Sequence, residues 1–227
     1  MENKIVGIVP LGGNATRMNH LPKFLLPCNV GLTLLDNIIN IYQHNDIFNI
    51  VAGVSDTNDF ILKNNNKMNK IIVNTKTMSE TVYNLTKHID QHNNAIYKNI
   101  LLMPDTFIKI TDEIKTMINM LDRCDIVVLV WKIKDYQIGK VGQCKIENDK
   151  LIDVRDKDIN CKYEYLWGSI GWNSNINKYI KPEWETIGEL LKIALELNIE
   201  VNTIVCDNCY YDCGTYPEYF DMIKNEI

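Results

Sequence analysis

Short apolar runs alternate with stretches of helical periodicity through the first 135 residues of this chain. The apolar runs predict strands at residues 5–9, 50–54, 71–73, 100–103 and 126–131. Between them, apolar residues recur three and four positions apart, as on one face of an amphipathic helix, at 34–41, 82–89 and 114–121. A strand, a helix and a second strand in that order form a crossover unit whose strands run parallel. The alternation therefore predicts an α/β fold with helices on both faces of a largely parallel sheet.

The pattern changes after residue 135, where the apolar segments become shorter and are separated by turn-prone residues such as Asn148 and Asp149. The elements predicted there are strands at 141–146, 151–154, 163–172 and 201–205, and helices at 183–197 and after 217. Closely spaced strands favour antiparallel pairing. We therefore expect a single domain over residues 1–227, in which a more antiparallel subregion at 136–227 lies over a first half at 1–135.

Composition and charge limit the kinds of protein that this chain can be and the kinds of partner that it can bind. Apolar residues make up 46% of the chain and charged residues 23%, which is typical of a globular enzyme. The formal net charge is −5 and no block of Lys and Arg stands out, which argues against nucleic-acid and anionic-membrane partners. No apolar run approaches the roughly 18 residues of a membrane span, and the first residues lack a signal-peptide pattern. These features predict a cytoplasmic protein.

The first predicted strand runs directly into a turn of small residues, Gly12-Gly13-Asn14-Ala15-Thr16. Such a turn exposes backbone N–H groups that can hold phosphate oxygens. Arg17 adds a planar guanidinium suited to phosphate, and Lys23, directly after Pro22, adds a compact positive charge. Backbone donors and two cations within one loop predict a site for the triphosphate of a nucleotide.

Two aspartates are candidates for holding a divalent cation. Asp105 follows the apolar run 100–103, and a carboxylate at the carboxyl end of a strand is well placed to hold Mg²⁺ beside substrate phosphates. Asp212 lies in the segment Tyr211-Asp212-Cys213-Gly214-Thr215. Local roles stay open for both, because Asp105 could cap a loop or helix and Asp212 could belong to a turn that Gly214 closes.

Taken together and in this order, the glycine-containing loop with Pro22-Lys23, Asp105 and the segment around Asp212 resemble the motifs of the sugar-1-phosphate nucleotidyltransferases, the nucleotide-sugar pyrophosphorylases. The resemblance spans nearly the whole chain. It implies a Rossmann-like three-layer nucleotidyltransferase fold with a mostly parallel mixed central sheet. It also implies Mg²⁺-dependent transfer of a nucleotidyl group from an NTP to a sugar 1-phosphate of the hexose class, with release of pyrophosphate.

The resemblance further implies a role for each matching residue. The implied nucleotide-binding residues are Leu11, Gly12, Gly13, Asn14, Ala15, Thr16, Arg17, Lys23 and Ser79, with Arg17 and Lys23 as the catalytic pair on the triphosphate. The implied sugar-phosphate-binding residues are Gly142, Asp156, Lys157, Trp167 and Gly168, and the implied Mg²⁺ ligands are Asp105 and Asp212. Residues 77–81 are the strand predicted to recognise the base. The nucleobase, the sugar and any homo-oligomeric state stay open.

The chain departs from the family pattern at two positions. Ala15 stands where a glycine is usual, and Asp158 replaces the usual proline after Lys157. Two alternatives stay open beside the sugar enzyme, the first because it would use the same phosphate loop and the second because of these two departures. One is a nucleotidyltransferase for a non-sugar phosphate, such as phosphocholine with CTP. The other is a non-catalytic protein that binds a sugar nucleotide.

Overall fold

The computed structural model describes residues 4–12, 21–93, 95–110 and 112–226. The strands are β1 (Ile5–Leu11), β2 (Pro27–Asn29), β3 (Leu32–Thr33), β4 (Ile50–Val54), β5 (Asn69–Ile72), β6 (Lys98–Leu102), β7 (Thr106–Ile108), β8 (Ile126–Lys132), β9 (Gly142–Glu147), β10 (Lys150–Asp156), β11 (Tyr165–Asn173), β12 (Val201–Cys206) and β13 (Tyr210–Asp212). The α-helices are α1 (Leu34–His44), α2 (Asp56–Ile61), α3 (Met78–His92), α4 (Glu113–Met120), α5 (Glu189–Glu196) and α6 (Tyr216–Glu226). Within these ranges no helix has the length and apolar character that crossing a membrane requires.

The central sheet is mixed, with strand order β5-β4-β1-β6-β11-β8-β12-β10-β9. Its first four strands all pair in parallel, as the crossover pattern of the first half predicts. From β11 onward most pairings are antiparallel, with β12 alongside β8 as a parallel exception. The change of pairing after residue 135 is thereby confirmed.

The second half of the sheet closes on itself. Strand β9 pairs with β10 and also with β11, where Tyr165 lies opposite Cys144 and Leu166 opposite Gln143. The pairings therefore run in a ring through β11, β8, β12, β10 and β9. Apolar side chains such as Val130, Cys144 and Val154 belong to one buried cluster with those of α5. The sequence predicts these strands but not their closure.

Helices cover both faces of the sheet, as predicted. Leu35 of α1 and Ile118 of α4 belong to one buried apolar cluster, whereas Val82 of α3 and Leu190 of α5 belong to another. Both faces of the parallel strands are thus covered, which explains why these strands are almost continuously apolar. A third buried cluster joins α6 to β2 and β13. It contains Met222 of α6, Cys28 of β2 and Tyr211 of β13.

The strand predicted at 77–81 is wrong, because these residues begin helix α3. Thr77 is the N-cap, and its side-chain oxygen accepts the backbone N–H of Glu80 at 3.1 Å. A threonine followed three residues later by glutamate is the usual start of a helix. The helix predicted at 183–197 is shorter in the structure and spans Glu189–Glu196.

Candidate functional site

A cavity of about 180 Å³ opens where β1 and β6 end. These neighbouring parallel strands have their carboxyl ends at one edge of the sheet, the usual place for a ligand in such folds. The lining residues are Pro10, Leu11, Gly12, Pro22, Lys23, Phe24, Thr75, Lys76, Thr77, Met78, Thr81, Met103, Pro104 and Asp105. The cavity therefore joins the described part of the predicted phosphate loop to the predicted metal aspartate.

Lys23 and Asp105 form an ion pair in this cavity. The Nζ atom of Lys23 lies 3.1 Å from Oδ2 of Asp105, and the two side chains are 12% and 27% exposed. Lys23 begins a short 3₁₀ turn, Lys23–Leu25, after the glycine-containing loop, and Asp105 follows β6. Residues 82 positions apart are thus brought together by the parallel pairing of β1 with β6. A partly exposed lysine can bind the phosphates of a ligand, and the aspartate beside it can bind the cation that accompanies them.

Asp212 is brought beside Asp105 by a small ladder outside the main sheet. In the antiparallel pairing of β13 with β7, Asp212 lies opposite Thr106, the neighbour of Asp105. The backbone N–H of Cys213 also donates to the carbonyl oxygen of Asp105 at 2.9 Å. A Cβ at Gly214 would lie 3.0 Å from Oδ1 of Asp212, so glycine leaves room for this carboxylate. The two predicted metal ligands therefore lie on adjoining, hydrogen-bonded segments.

Tyr210 is a buried neighbour of these aspartates that the sequence interpretation missed. Its side chain is buried, and its ring lies 4.9 Å from the ring of Trp131. Burial, and next the charges of Asp212 and Asp105, raise the pKa of Tyr210 well above its usual value. The aromatic pair occupies the space beside Gly168, where any Cβ would overlap the Tyr210 ring. Gly168 thus leaves room for the rings of Tyr210 and Trp131.

Three of the predicted sugar-phosphate residues meet at one end of the strand ring. Gly142 of β9 lies directly opposite Asp156 of β10, and Lys157 follows at once. The backbone N–H of Lys157 donates to the carbonyl of Val141 at 3.2 Å, and its φ of +52° is left-handed. A residue before proline is restricted to extended conformations, so Asp158 at the next position is what allows this turn. The departure from the family pattern therefore has a local structural consequence.

Trp167 covers Gly142. Its side chain is 9% exposed, and a Cβ at Gly142 would overlap the indole ring at Nε1. The ring also reaches Gly188, where a Cβ would lie 3.2 Å from Nε1. The indole N–H is buried with no hydrogen-bond partner in the described part of the chain. Nearby, the hydroxyl of Thr186 donates to Oδ2 of Asp156 at 3.2 Å.

Only some of the other predicted nucleotide-binding residues lie at the cavity. Leu11 and Gly12 line the cavity. Gly13, Asn14, Ala15, Thr16 and Arg17 lie outside the described residues. Ser79 is fully buried in the first turn of α3 and does not line the cavity. Thr75, Met78 and Thr81 do line the cavity. The sequence interpretation missed Thr75. The only sequence signal for it is that a residue with a hydroxyl group stands shortly before the start of a helix.

Among known proteins, the chain matches solved structures of the same fold. No family model matches the chain, and no curated protein matches it in sequence. Among solved structures, one assigned as a glucose-1-phosphate thymidylyltransferase from Bacillus anthracis, in complex with sucrose, has a TM-score of 0.79 and 15% identity over 96% of this chain and 93% of that one. A UTP-bound UGPase (UDP-glucose pyrophosphorylase) from Acinetobacter baumannii has a TM-score of 0.75 and 12% identity over 96% and 92%.

Both matched proteins are sugar-1-phosphate nucleotidyltransferases, the family whose motifs the chain resembles. At these identities the likeness establishes the fold. The mixed α/β fold implied by the resemblance is therefore confirmed, while the Rossmann-like description of it stays a prediction.

Proposed function

We propose that this protein is an Mg²⁺-dependent nucleotidyltransferase that transfers a nucleotidyl group from an NTP to a sugar 1-phosphate of the hexose class. The observation that carries the proposal is the Lys23–Asp105 pair in a cavity at the strand ends, with Asp212 held on the adjoining segment. The fold supports it, since one structural neighbour is a glucose-1-phosphate thymidylyltransferase solved with sucrose and the other a UGPase solved with UTP.

Asp105 in the cavity lining and Asp212 on the adjoining segment fit Mg²⁺. This ion usually takes one or two carboxylates from a protein and completes its octahedral shell with substrate phosphates and water. Among the described residues, no group of three or more His, Cys, Asp or Glu side chains could hold a metal ion. Asp105 and Asp212 would hold the ion, which would offset phosphate charge where donor and acceptor meet.

The proposed reaction is an in-line displacement. An oxygen of the sugar phosphate attacks the α-phosphorus of the NTP, the bond to the bridging oxygen breaks, and pyrophosphate leaves without a covalent enzyme intermediate. Such a transfer needs positioning and charge neutralisation more than proton transfer. Lys23 would leave its ion pair with Asp105 to stabilise charge that develops on the transferring phosphate. Arg17 would hold the departing pyrophosphate.

The acceptor would bind at the end of the strand ring. Lys157 would hold the phosphate of the acceptor, while Asp156 would accept hydrogen bonds from sugar hydroxyls beside Gly142. The adjacency of these residues in the β9–β10 pairing supports this assignment. Because Thr186 donates to Asp156, one carboxylate oxygen already has a partner and the remaining lone pairs are left for the sugar.

A pyrophosphate-release screen tests the proposal. The common NTPs would be combined with a panel of sugar 1-phosphates and with phosphocholine, each with and without Mg²⁺. We expect Mg²⁺-dependent release with at least one sugar 1-phosphate. Release with phosphocholine alone would replace the sugar acceptor by a non-sugar one. Nucleotide binding without release for any acceptor would favour the non-catalytic alternative.

A further inference from the structure

The hydroxyl of Tyr219 joins two distant parts of the chain beside the candidate site. Tyr219 lies in the first turn of α6, and its hydroxyl donates to the carbonyl oxygen of Pro27, the first residue of β2, at 2.7 Å. The two residues are 192 positions apart. Tyr219 is 9% exposed and belongs to the third buried cluster, so the bond forms within packed surroundings. It fixes the beginning of α6 against β2.

On one side of this bond the chain leads to Lys23. The lysine begins the 3₁₀ turn Lys23–Leu25, and the backbone N–H of Leu26 donates to the carbonyl oxygen of Lys23 at 2.9 Å. Leu26 belongs to the same buried cluster as Tyr219, and Pro27 is the next residue. A short segment that is both hydrogen-bonded and packed transmits the position of Pro27 to the backbone of Lys23.

On the other side the chain leads to Asp212. The backbone N–H of Tyr219 donates to the carbonyl oxygen of Thr215 at 3.0 Å, and Asp212 stands three positions before that threonine. Between them, Cys213 is buried in the same cluster and donates its backbone N–H to the carbonyl oxygen of Asp105. The segment that carries the two proposed metal ligands is therefore held firmly to the start of α6.

These contacts and the ion pair of Lys23 with Asp105 close a ring around the site. In the proposed reaction Lys23 leaves the ion pair to bind the transferring phosphate, and the ring opens at that point. The bond from Tyr219 to Pro27 then still holds the lysine segment to the segment of the metal ligands. Because a displacement of about 1 Å at reacting groups can slow a reaction about 100-fold, a contact outside the cavity lining can affect transfer.

We infer that Tyr219 is a positioning residue for the proposed transfer, because its hydroxyl holds Lys23 in place relative to the cation site. The cation site is the one proposed at Asp105 and Asp212. The inference rests on the proposed function, since it takes these three residues to act on phosphates and their metal ion. Tyr219 lies outside the cavity lining and acts through Pro27 and Lys23.

The test is a pair of tyrosine variants in two backgrounds. Tyr219→Phe removes only the hydroxyl. Tyr136→Phe is the matched control, because the Tyr136 hydroxyl donates to Asp221 of the same helix at 3.1 Å but lies in another segment, Asp135–Gln137. Both changes are made in the wild-type protein and in Lys23→Met. Binding of each common NTP with Mg²⁺ is measured by titration calorimetry without acceptor, and kcat with the substrates that the pyrophosphate screen selects.

We expect Tyr219→Phe to lower kcat about tenfold, below the loss of about 100-fold that a full displacement can cause. Binding of the NTP should weaken about threefold, within the range for one lost hydrogen bond. In the Lys23→Met background the same change should alter both quantities less than about twofold, because the lysine that it would misplace is gone. Tyr136→Phe should stay within about twofold in both backgrounds.

A merely structural role of Tyr219 would give equal losses in both backgrounds, and that result would overturn the inference while leaving the transferase intact. Unchanged kcat and binding in Tyr219→Phe would do the same. If Lys23→Met removes all measurable binding and release, the difference between Tyr219→Phe and Tyr136→Phe decides in the same way. Dependence on Lys23 in the calorimetry, without pyrophosphate release for any acceptor, would support the positioning role and overturn the transferase. Absence of NTP binding to the wild-type protein would overturn both.

Discussion

The proposed nucleotide end and the proposed acceptor end of the candidate site differ in how open they are. Around Lys23 and Asp105 the parallel strands end in a crevice, and both side chains remain partly exposed. At the other end the strands close into a ring, and Trp167 lies over Gly142 with little exposure. An open sheet leaves a crevice at its strand ends, whereas a small closed ring is filled by its own side chains. The proposed nucleotide end is therefore the more open of the two, and the proposed acceptor end is defined mainly by packing.

The largest expected effect is at the nucleotide end. Asp105→Asn and Asp212→Asn should each lower kcat for pyrophosphate release by about 100-fold or more, because each removes a charge proposed to hold Mg²⁺ at the reacting phosphates. Thermal unfolding should change little, since both residues are only half-buried and asparagine has nearly the same shape as aspartate. Asp112→Asn is the control, because Asp112 is an exposed aspartate whose carboxylate pairs with the ring of His44, outside the cavity lining. Normal kcat in both variants would show that the metal assignment is wrong.

The second effect tests the packing of the acceptor end. Gly142→Ala should lower the free energy of unfolding by about 1–3 kcal/mol, because its Cβ overlaps the Trp167 indole. Urea unfolding measures this. In a Trp167→Ala background the same change should cost less than about 0.5 kcal/mol, since the two residues are then no longer in contact. Equal costs in both backgrounds would contradict the close contact of Gly142 with Trp167.

A smaller effect separates the two ends by kinetics. Lys157→Met should raise KM for the sugar 1-phosphate about tenfold, because the lysine charge proposed to hold the acceptor phosphate is lost. KM for the NTP should stay within about twofold, as Lys157 is absent from the nucleotide cavity. Lys162→Met is the matched control, an exposed lysine five positions further along. A rise in KM for the NTP instead would move Lys157 to the other substrate.

The smallest effect concerns pH. Burial, and next the charge of Asp36, raise the pKa of Cys28 from 9.0 to about 11. The unfolded chain loses this proton first, so the contribution is fully present below pH 9 and is lost as pH rises through 11. Cys28→Ala should therefore flatten the fall of unfolding free energy over that interval. An unchanged slope would show that other groups account for the alkaline loss of stability.

The sequence predicted the elements that lead into the cavity, β1 and β6, because its signals there are local. An apolar strand ending in a small-residue turn predicts β1 and its loop, and an aspartate after an apolar run predicts Asp105 at the end of β6. The strand predicted at 77–81 is wrong, although a local signal was present. These residues show no clear apolar period, and the capping pattern from Thr77 to Glu80 begins helix α3 there.

The acceptor end shows what sequence could not determine. Hydrophobic period and turn chemistry by themselves determined the order of strands and helices and the change to antiparallel pairing after residue 135, because both depend on neighbours along the chain. Only the tertiary structure decided that β9 reaches β11, that β13 carries Asp212 to Asp105, and that Trp167 covers Gly142. Each of these contacts joins residues from separate segments. Their energy depends on shape and packing in three dimensions, which no short stretch of sequence records.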